Sequence, residues 1–247
     1  MQIVQTSDNW LSKESLFKHL DDLAKNIYTD RTVYLAANFE ENKSVTPKIA
    51  GPVIEAVVNE VGSSDTGMVL FRREEESTVI EPPFPFTMDA ITQDQDTLLL
   101  EDVFQMPKLV AVILVSLGRY AVALMEGQEL IDTKTEGRRM KNRHKAGGAS
   151  QRRFERSRER LIRELYDKVC EVSRRILEPR IQDIDYLFLG GEKHTLNGFK
   201  KRCGFIEKFD GKVMSRLINV DEPNSEALKL LSGEIYKSRV RVFKTVR

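Results

Sequence analysis

"KLVAVILVSLGRYAVALMEGQELIDTKTEG", Lys108 to Gly137, holds two apolar runs joined at Leu117-Gly118-Arg119, with a third run after Gly127. Gly118, Arg119 and Tyr120 break the longest apolar stretch, and no uninterrupted run approaches the roughly 20 residues needed to cross a bilayer. Apolar runs of this length, bounded by turn residues, predict strands. The stretch reads as a three-stranded antiparallel meander.

Just beyond it, "KNRHKAGGASQRRFERSRERL", Lys141 to Leu161, packs a dense run of cations around two glycines and leads into a patterned helix. At about 100° per residue, Arg152, Arg156, Arg160 and Arg163 share a narrow arc. Phe154, Leu161, Leu165, Val169, Val172 and Ile176 lie on the opposite side. The spacing predicts one long helix from about Gln151 to Leu177, ended by Pro179, with one face for a core and one of guanidinium groups. Glu155 and Glu159 can each pair three or four residues along but cannot neutralise the arc.

The preceding loop adds Arg138, Arg139, Lys141, Arg143, His144 and Lys145. Arginine suits phosphate because its planar fork donates two parallel hydrogen bonds, so loop and helix together read as an RNA-binding surface. An arbitrary charge run is more often a solvated face. The one-sided arc and Gly147-Gly148, which removes side chains where the chain must bend or approach another backbone, tilt this one toward binding. A free loop of this composition is expected to be disordered until it binds.

Working outward, "DYLFLGG" predicts a buried strand, "LNGFKKR" a helix, "RLINV" a short strand and "EPNSEALKLLSGEIYK" a helix. Three strands, a long helix, then alternating strand and helix is the order of a ribonuclease H-like α/β layer. Towards the N-terminus, "KESLFKHLDDLAKNI" has helical spacing and "TVYLAAN" reads as a strand. "KIAGPVIEAVVNEVG" reads as a helix despite Gly51-Pro52, with Gly62 as its stop. "GMVLFRRE" and "STVIE" form a strand pair, and "EPPFPF" is excluded from regular structure by its prolines. The fold class is therefore α/β, with a mixed α/β domain over residues 1–104 and a ribonuclease H-like domain over 105–247.

The formal net charge is +1, so any polyanion-binding surface must come from clustering. Cys170 and Cys203 form no C-x-x-C pair and are expected as reduced, semi-buried fillers. His19, His144 and His194 lie far apart, which argues against a metal site. His144, amid lysines, reads as a phosphate contact. The N-terminus lacks a signal-peptide pattern, so a cytoplasmic chain without membrane contact is expected.

"KNRHKAGGASQRRFERSRER" resembles the active loop of the class-1 peptide release factors of eukaryotes and archaea, in which a basic stretch precedes Gly-Gly-Gln-Ser, a short spacer, Arg-Phe and an Arg-rich helix. "LVAVILVSLGRYAVALMEG" and "DYLFLGGEKHTLNGFKKR" resemble that family's flanking strands and later helix. This chain departs from the pattern where the classical glutamine would stand: Ala149 follows Gly148, and the glutamine comes two positions later. Gly148-Ala149-Ser150-Gln151 instead resembles the Gly-x-x-Gln pattern of the Vms-like release factors, which cleave nascent chains from tRNA on stalled large ribosomal subunits.

The resemblance implies a release-factor catalytic domain acting as a peptidyl-tRNA hydrolase. Gln151, with Gly147 and Gly148, would form its catalytic loop; Arg152, Arg153, Arg156 and Arg160 would grip rRNA. Its partners would be the large subunit and peptidyl-tRNA, with no DNA, no cofactor and a monomeric chain. No stop-codon-reading motif is evident in the first half, which leaves that half's docking role open. Two rivals stand beside this reading. A Pelota-like adaptor would bind without hydrolysis, and Gln151 argues against it. A two-metal nuclease would need clustered carboxylates at core strand ends; "LVAVILVSL" supplies none, and Asp183 and Asp185 have no evident partner there.

Overall fold

The computed structural model describes residues 2–26, 28–41, 44, 46–137 and 149–246, and only the backbone of Asn26, Ala149, Ser150, Gln151 and Phe154. The chain divides into two units, Met1–Met106 with Gly233–Arg247, and Pro107–Ser232.

The first unit contains strand β1 (Gln2–Leu11), helix α1 (Lys13–Asn26), β2 (Arg31–Leu35), α2 (Thr46–Ala50), α3 (Pro52–Val61), β3 (Met68–Arg72), β4 (Glu76–Glu81), β5 (Ala90–Thr92) and α4 (Leu98–Gln105). The segment expected as one helix across Gly51-Pro52 is two. Gly51 adopts φ 111, which only glycine takes without strain, and Pro52 opens α3 where its missing N–H costs nothing. Apolar residues of α3 and one sheet face, among them Ile54, Val57, Val33, Leu35, Leu70 and Val79, form one buried cluster of this unit, and Leu16, Leu20, Tyr34, Phe71, Ile80 and Leu100 are buried outside it. Asp89 anchors the segment before α2: its carboxylate accepts from Ala36 N–H (2.7 Å), Ser44 Oγ (2.5 Å) and Thr46 Oγ1 (2.9 Å).

The second unit begins with the meander: β6 (Leu109–Ser116), β7 (Arg119–Glu126) and β8 (Glu129–Gly137), all antiparallel. Helix α5 (Ala149–Leu177) comes next, passing into a 3₁₀ turn at Glu178–Arg180 that contains Pro179. Strand β9 (Tyr186–Gly190) then pairs parallel to β6, giving the order β8-β7-β6-β9. Nearly every residue of β6 and the middle of β7 is buried, which accounts for their unbroken apolar runs. Helix α6 (Lys193–Arg202) succeeds β9. The short strand expected at "RLINV" is absent. Ile218 and Val213 make only isolated bridges to Gly190 and Leu187, because the chain meets the β9 edge at single points.

Helix α7 (Ser225–Ile235) runs from the second unit into the first, and β10 (Ser238–Val246) closes the first unit's sheet, of order β1-β10-β4-β3-β2-β5. The expected boundary at 247 for the second domain is therefore corrected. Residues from Gly233 onward belong to the first unit, because β10 inserts between β1 and β4 and satisfies the backbone groups of both.

Candidate nucleic-acid interface

Helix α5 begins at Ala149, so Gln151 lies in its first turn, where the backbone N–H groups have no intrahelical acceptor. The first turn contains no acid, and the positive end of a helix dipole favours a negatively charged group. Arg152, Arg153, Arg156, Arg160 and Arg163 are all exposed. Arg160 sits 3.6 Å from Glu164 and Arg163 sits 4.0 Å from Glu159, exposed i,i+4 pairs of the kind that hold charges loosely. Among the described residues, Arg152, Arg153 and Arg156 make no ion pair.

The helix is much longer than its buried footprint. Among its described side chains the first buried one is Leu165, preceded by half-buried Ser157, Arg158, Leu161 and Ile162. At about 1.5 Å per residue, Gln151 stands roughly 20 Å along the axis from that anchor. From Leu165 onward, Tyr166, Val169, Val172, Ile176 and Leu177 pack into the core over β6, β7 and β9. The sequence thus produces a buried shaft and a solvated cationic tip on one continuous helix.

The shaft is fixed to α6 in three places. Tyr166 lies against Gly198, where an added Cβ would come within 2.7 Å of the tyrosine oxygen. Asp167 receives two hydrogen bonds from Arg202, at 2.6 and 2.7 Å, and the guanidinium holds its carboxyl below the usual range despite partial desolvation. Cys170 and Cys203 form a disulfide with Cα atoms 5.5 Å apart. The expectation of two reduced thiols is thereby overturned, because helix packing brings residues 33 apart in sequence into bonding reach.

At the other side of the shaft, Tyr120 donates to Glu136 (3.0 Å), with burial and then that carboxylate pushing the phenol up to about 12. Asp185, the carboxylate weighed for a nuclease, accepts from Leu109 N–H at 2.8 Å and holds the start of β6. Asp183 takes Arg180 at 3.3 Å. Both have structural work in the fold. The anchoring roles of Asp185, Tyr166 and Gly198 are not legible in the sequence; a carboxylate just before a strand carries no signal of its distant partner.

Gly147, Gly148, Arg138, Arg139, Lys141, Arg143, His144 and Lys145 lie outside the described residues, as does the expected disorder of their loop. Residues 138–163 carry eleven arginines and lysines against two glutamates. Chemically, a helix N-terminus followed by exposed arginines that make no ion pair among the described residues is suited to holding phosphate.

Comparison with known proteins agrees with a translational reading of that chemistry. A family model described as "Actinobacteria/chloroflexi VLRF1 release factor" matches residues 108–241, just over half of the chain. The chain belongs to this release-factor family. It is 27% identical over 198 residues to peptide chain release factor subunit 1 of Archaeoglobus fulgidus, covering 74% of this chain and 47% of that protein. It is 31% identical over 121 residues to the same factor of Aeropyrum pernix, covering 46% and 32%. The chain thus spans about half or less of the length of these curated relatives. Among solved structures, an archaeal translation termination factor, aRF1, aligns at 18% identity and a TM-score of 0.38, covering 92% of this chain and 73% of that one. Archaeoglobus fulgidus Pelota aligns at 13% and 0.29, covering 94% and 64%.

Proposed function

We propose that this chain is a Vms-like peptidyl-tRNA hydrolase that releases nascent chains held on stalled large ribosomal subunits. The observation that carries the reading is Gln151 in the first turn of an arginine-rich helix, three positions after Gly148 in the sequence, in a chain of a release-factor family.

In the reaction, water attacks the ester carbonyl carbon joining the peptide to the tRNA 3′ oxygen. A tetrahedral oxyanion forms, then the carbon–oxygen bond to the ribose breaks and the 3′ oxygen leaves with a proton. Glutamine has no pKa near neutrality, so Gln151 does not serve as a conventional base. Its amide can accept from the water and donate to it or to the oxyanion, and its backbone N–H is also free of an intrahelical acceptor. Catalysis of this kind rests on orientation, with ribosomal RNA supplying the surroundings. Gly147 and Gly148 let the loop enter a narrow cavity, while Arg138, Arg139, Lys141, Arg143, His144, Lys145, Arg152, Arg153, Arg156, Arg160 and Arg163 hold RNA phosphates. On this reading the protein is a cytoplasmic monomer, the second unit is catalytic, and the first docks on the large subunit or a partner.

The test is release of labelled peptide from peptidyl-tRNA on isolated large subunits. Release by wild type that falls at least a hundredfold in Gln151→Ala, with subunit binding retained, is the expected outcome. Binding without release by wild type would make the chain a Pelota-like adaptor instead.

A further inference from the structure

Helix α6 carries a second cationic face. On a helical wheel Lys193, His194, Asn197, Lys200 and Lys201 fall within an arc of roughly 120°, and all are exposed or half-buried. Leu196 and Phe199, on the other side, are buried in the core. The helix, KHTLNGFKKR, contains no acid. Other cations of this unit are engaged: Arg202 with Asp167, Lys208 with Glu178 and Lys168 with Glu171. Among the described residues, Lys193, Lys200 and Lys201 have no such partner.

Helix stability explains part of this pattern only. Lys200 and Lys201 lie in the last turn, where cations favour the dipole. Lys193 and His194 stand at the opposite end, beside the N-cap residue Glu192, whose carboxylate accepts from Thr195 Oγ1 at 3.2 Å; the dipole gives no reason for cations there. The contacts with α5 give the direction of the face. Tyr166 meets Gly198, Asp167 meets Arg202 and Cys170 meets Cys203, so the pairings advance together along both helices. The two therefore run in the same sense, and the Lys193 end of α6 lies toward the end from which α5 projects.

We propose that this α6 face is a second RNA contact, gripping the phosphate backbone of base-paired RNA beside the strip on α5. The inference rests on the ribosome-directed reading above and extends it to a surface outside the glutamine motif. Double-helical RNA is the fitting partner for two reasons. Each lysine is a point charge that matches a phosphate without reading sequence. The arc carries no Phe, Tyr or Trp on which an unpaired base could stack.

The experiment titrates a plain RNA duplex of about 20 base pairs, and then isolated large subunits, over a salt series. The chains compared are wild type, the triple variant Lys193→Gln/Lys200→Gln/Lys201→Gln, and the matching triple Lys→Arg variant. Each phosphate contact contributes roughly 0.9 to the slope of log affinity against log salt. The Gln triple is expected to flatten that slope by about 2 to 3 units and weaken duplex binding at least tenfold at low salt. The Arg triple should retain both, which separates charge from misfolding. A Gln triple indistinguishable from wild type on duplex and subunits overturns the proposal and leaves the hydrolase reading standing, since Gln151-dependent release is measured separately. Wild type that binds neither duplex nor subunits overturns both.

Discussion

Reducing the bond between Cys170 and Cys203 should loosen the second unit more than any single surface change. The disulfide closes a loop with a sequence separation of 33, and the chain-entropy relation gives about 4 kcal/mol for that length at 25 °C. For a chain of this size, each kcal/mol moves the melting temperature by about 2–4 °C, so reduction should lower it by roughly 8–15 °C. Cys203 is fully buried and Cys170 half-buried, so a reductant reaches the bond slowly below the transition. The assay is thermal unfolding observed by circular dichroism, with and without dithiothreitol after incubation in mild denaturant. Cys170→Ser should melt at the reduced temperature in both conditions. Two free thiols in unreduced, denatured protein, with a melt insensitive to reductant, would refute the reasoning.

The geometry sets three further outcomes. Gly190→Ala places a methyl group against Leu114 and within 2.6 Å of the Ile218 carbonyl, so backbone must move; urea denaturation should show a loss of about 1–3 kcal/mol. Asp167 has a depressed carboxyl pKa in the folded chain, so the stability it contributes is present above the unfolded value near ~4 and disappears as pH falls through the folded value. The difference between wild type and Asp167→Asn in urea midpoints should therefore be seen at pH 7 and vanish in acid. Converting Arg152, Arg153 and Arg156 to glutamine removes cations with no ion pair among the described residues, so melting should change little while the salt slope of RNA binding flattens by about 3 units.

Much of the second unit was legible in the sequence because its signals are local. The runs on either side of Gly118 become β6 and β7, and the arginine arc against the leucine-valine face marks α5, since a 3.6-residue period needs no partner to be read. The helix start at Ala149 places Gln151 in the first turn, close to where periodicity put it. Long-range pairings carried no comparable signal. β1 and β10 meet across nearly the whole chain, Gln2 opposite Val246, and both are absent from the sequence-based expectations. β1 is largely exposed, so it lacks the apolar alternation that marks a half-buried strand.

The amino-acid pattern by itself determined an α/β chain with a one-sided cationic helix and a glycine-glutamine motif at its start. Tertiary structure alone decided that the C-terminal strand returns to the first unit, that Cys170 meets Cys203, and that α6 turns its lysines outward beside α5. Periodicity and turn chemistry act between near neighbours along the chain. Strand order, disulfide pairing and the alignment of two helix faces depend on residues that only packing brings together.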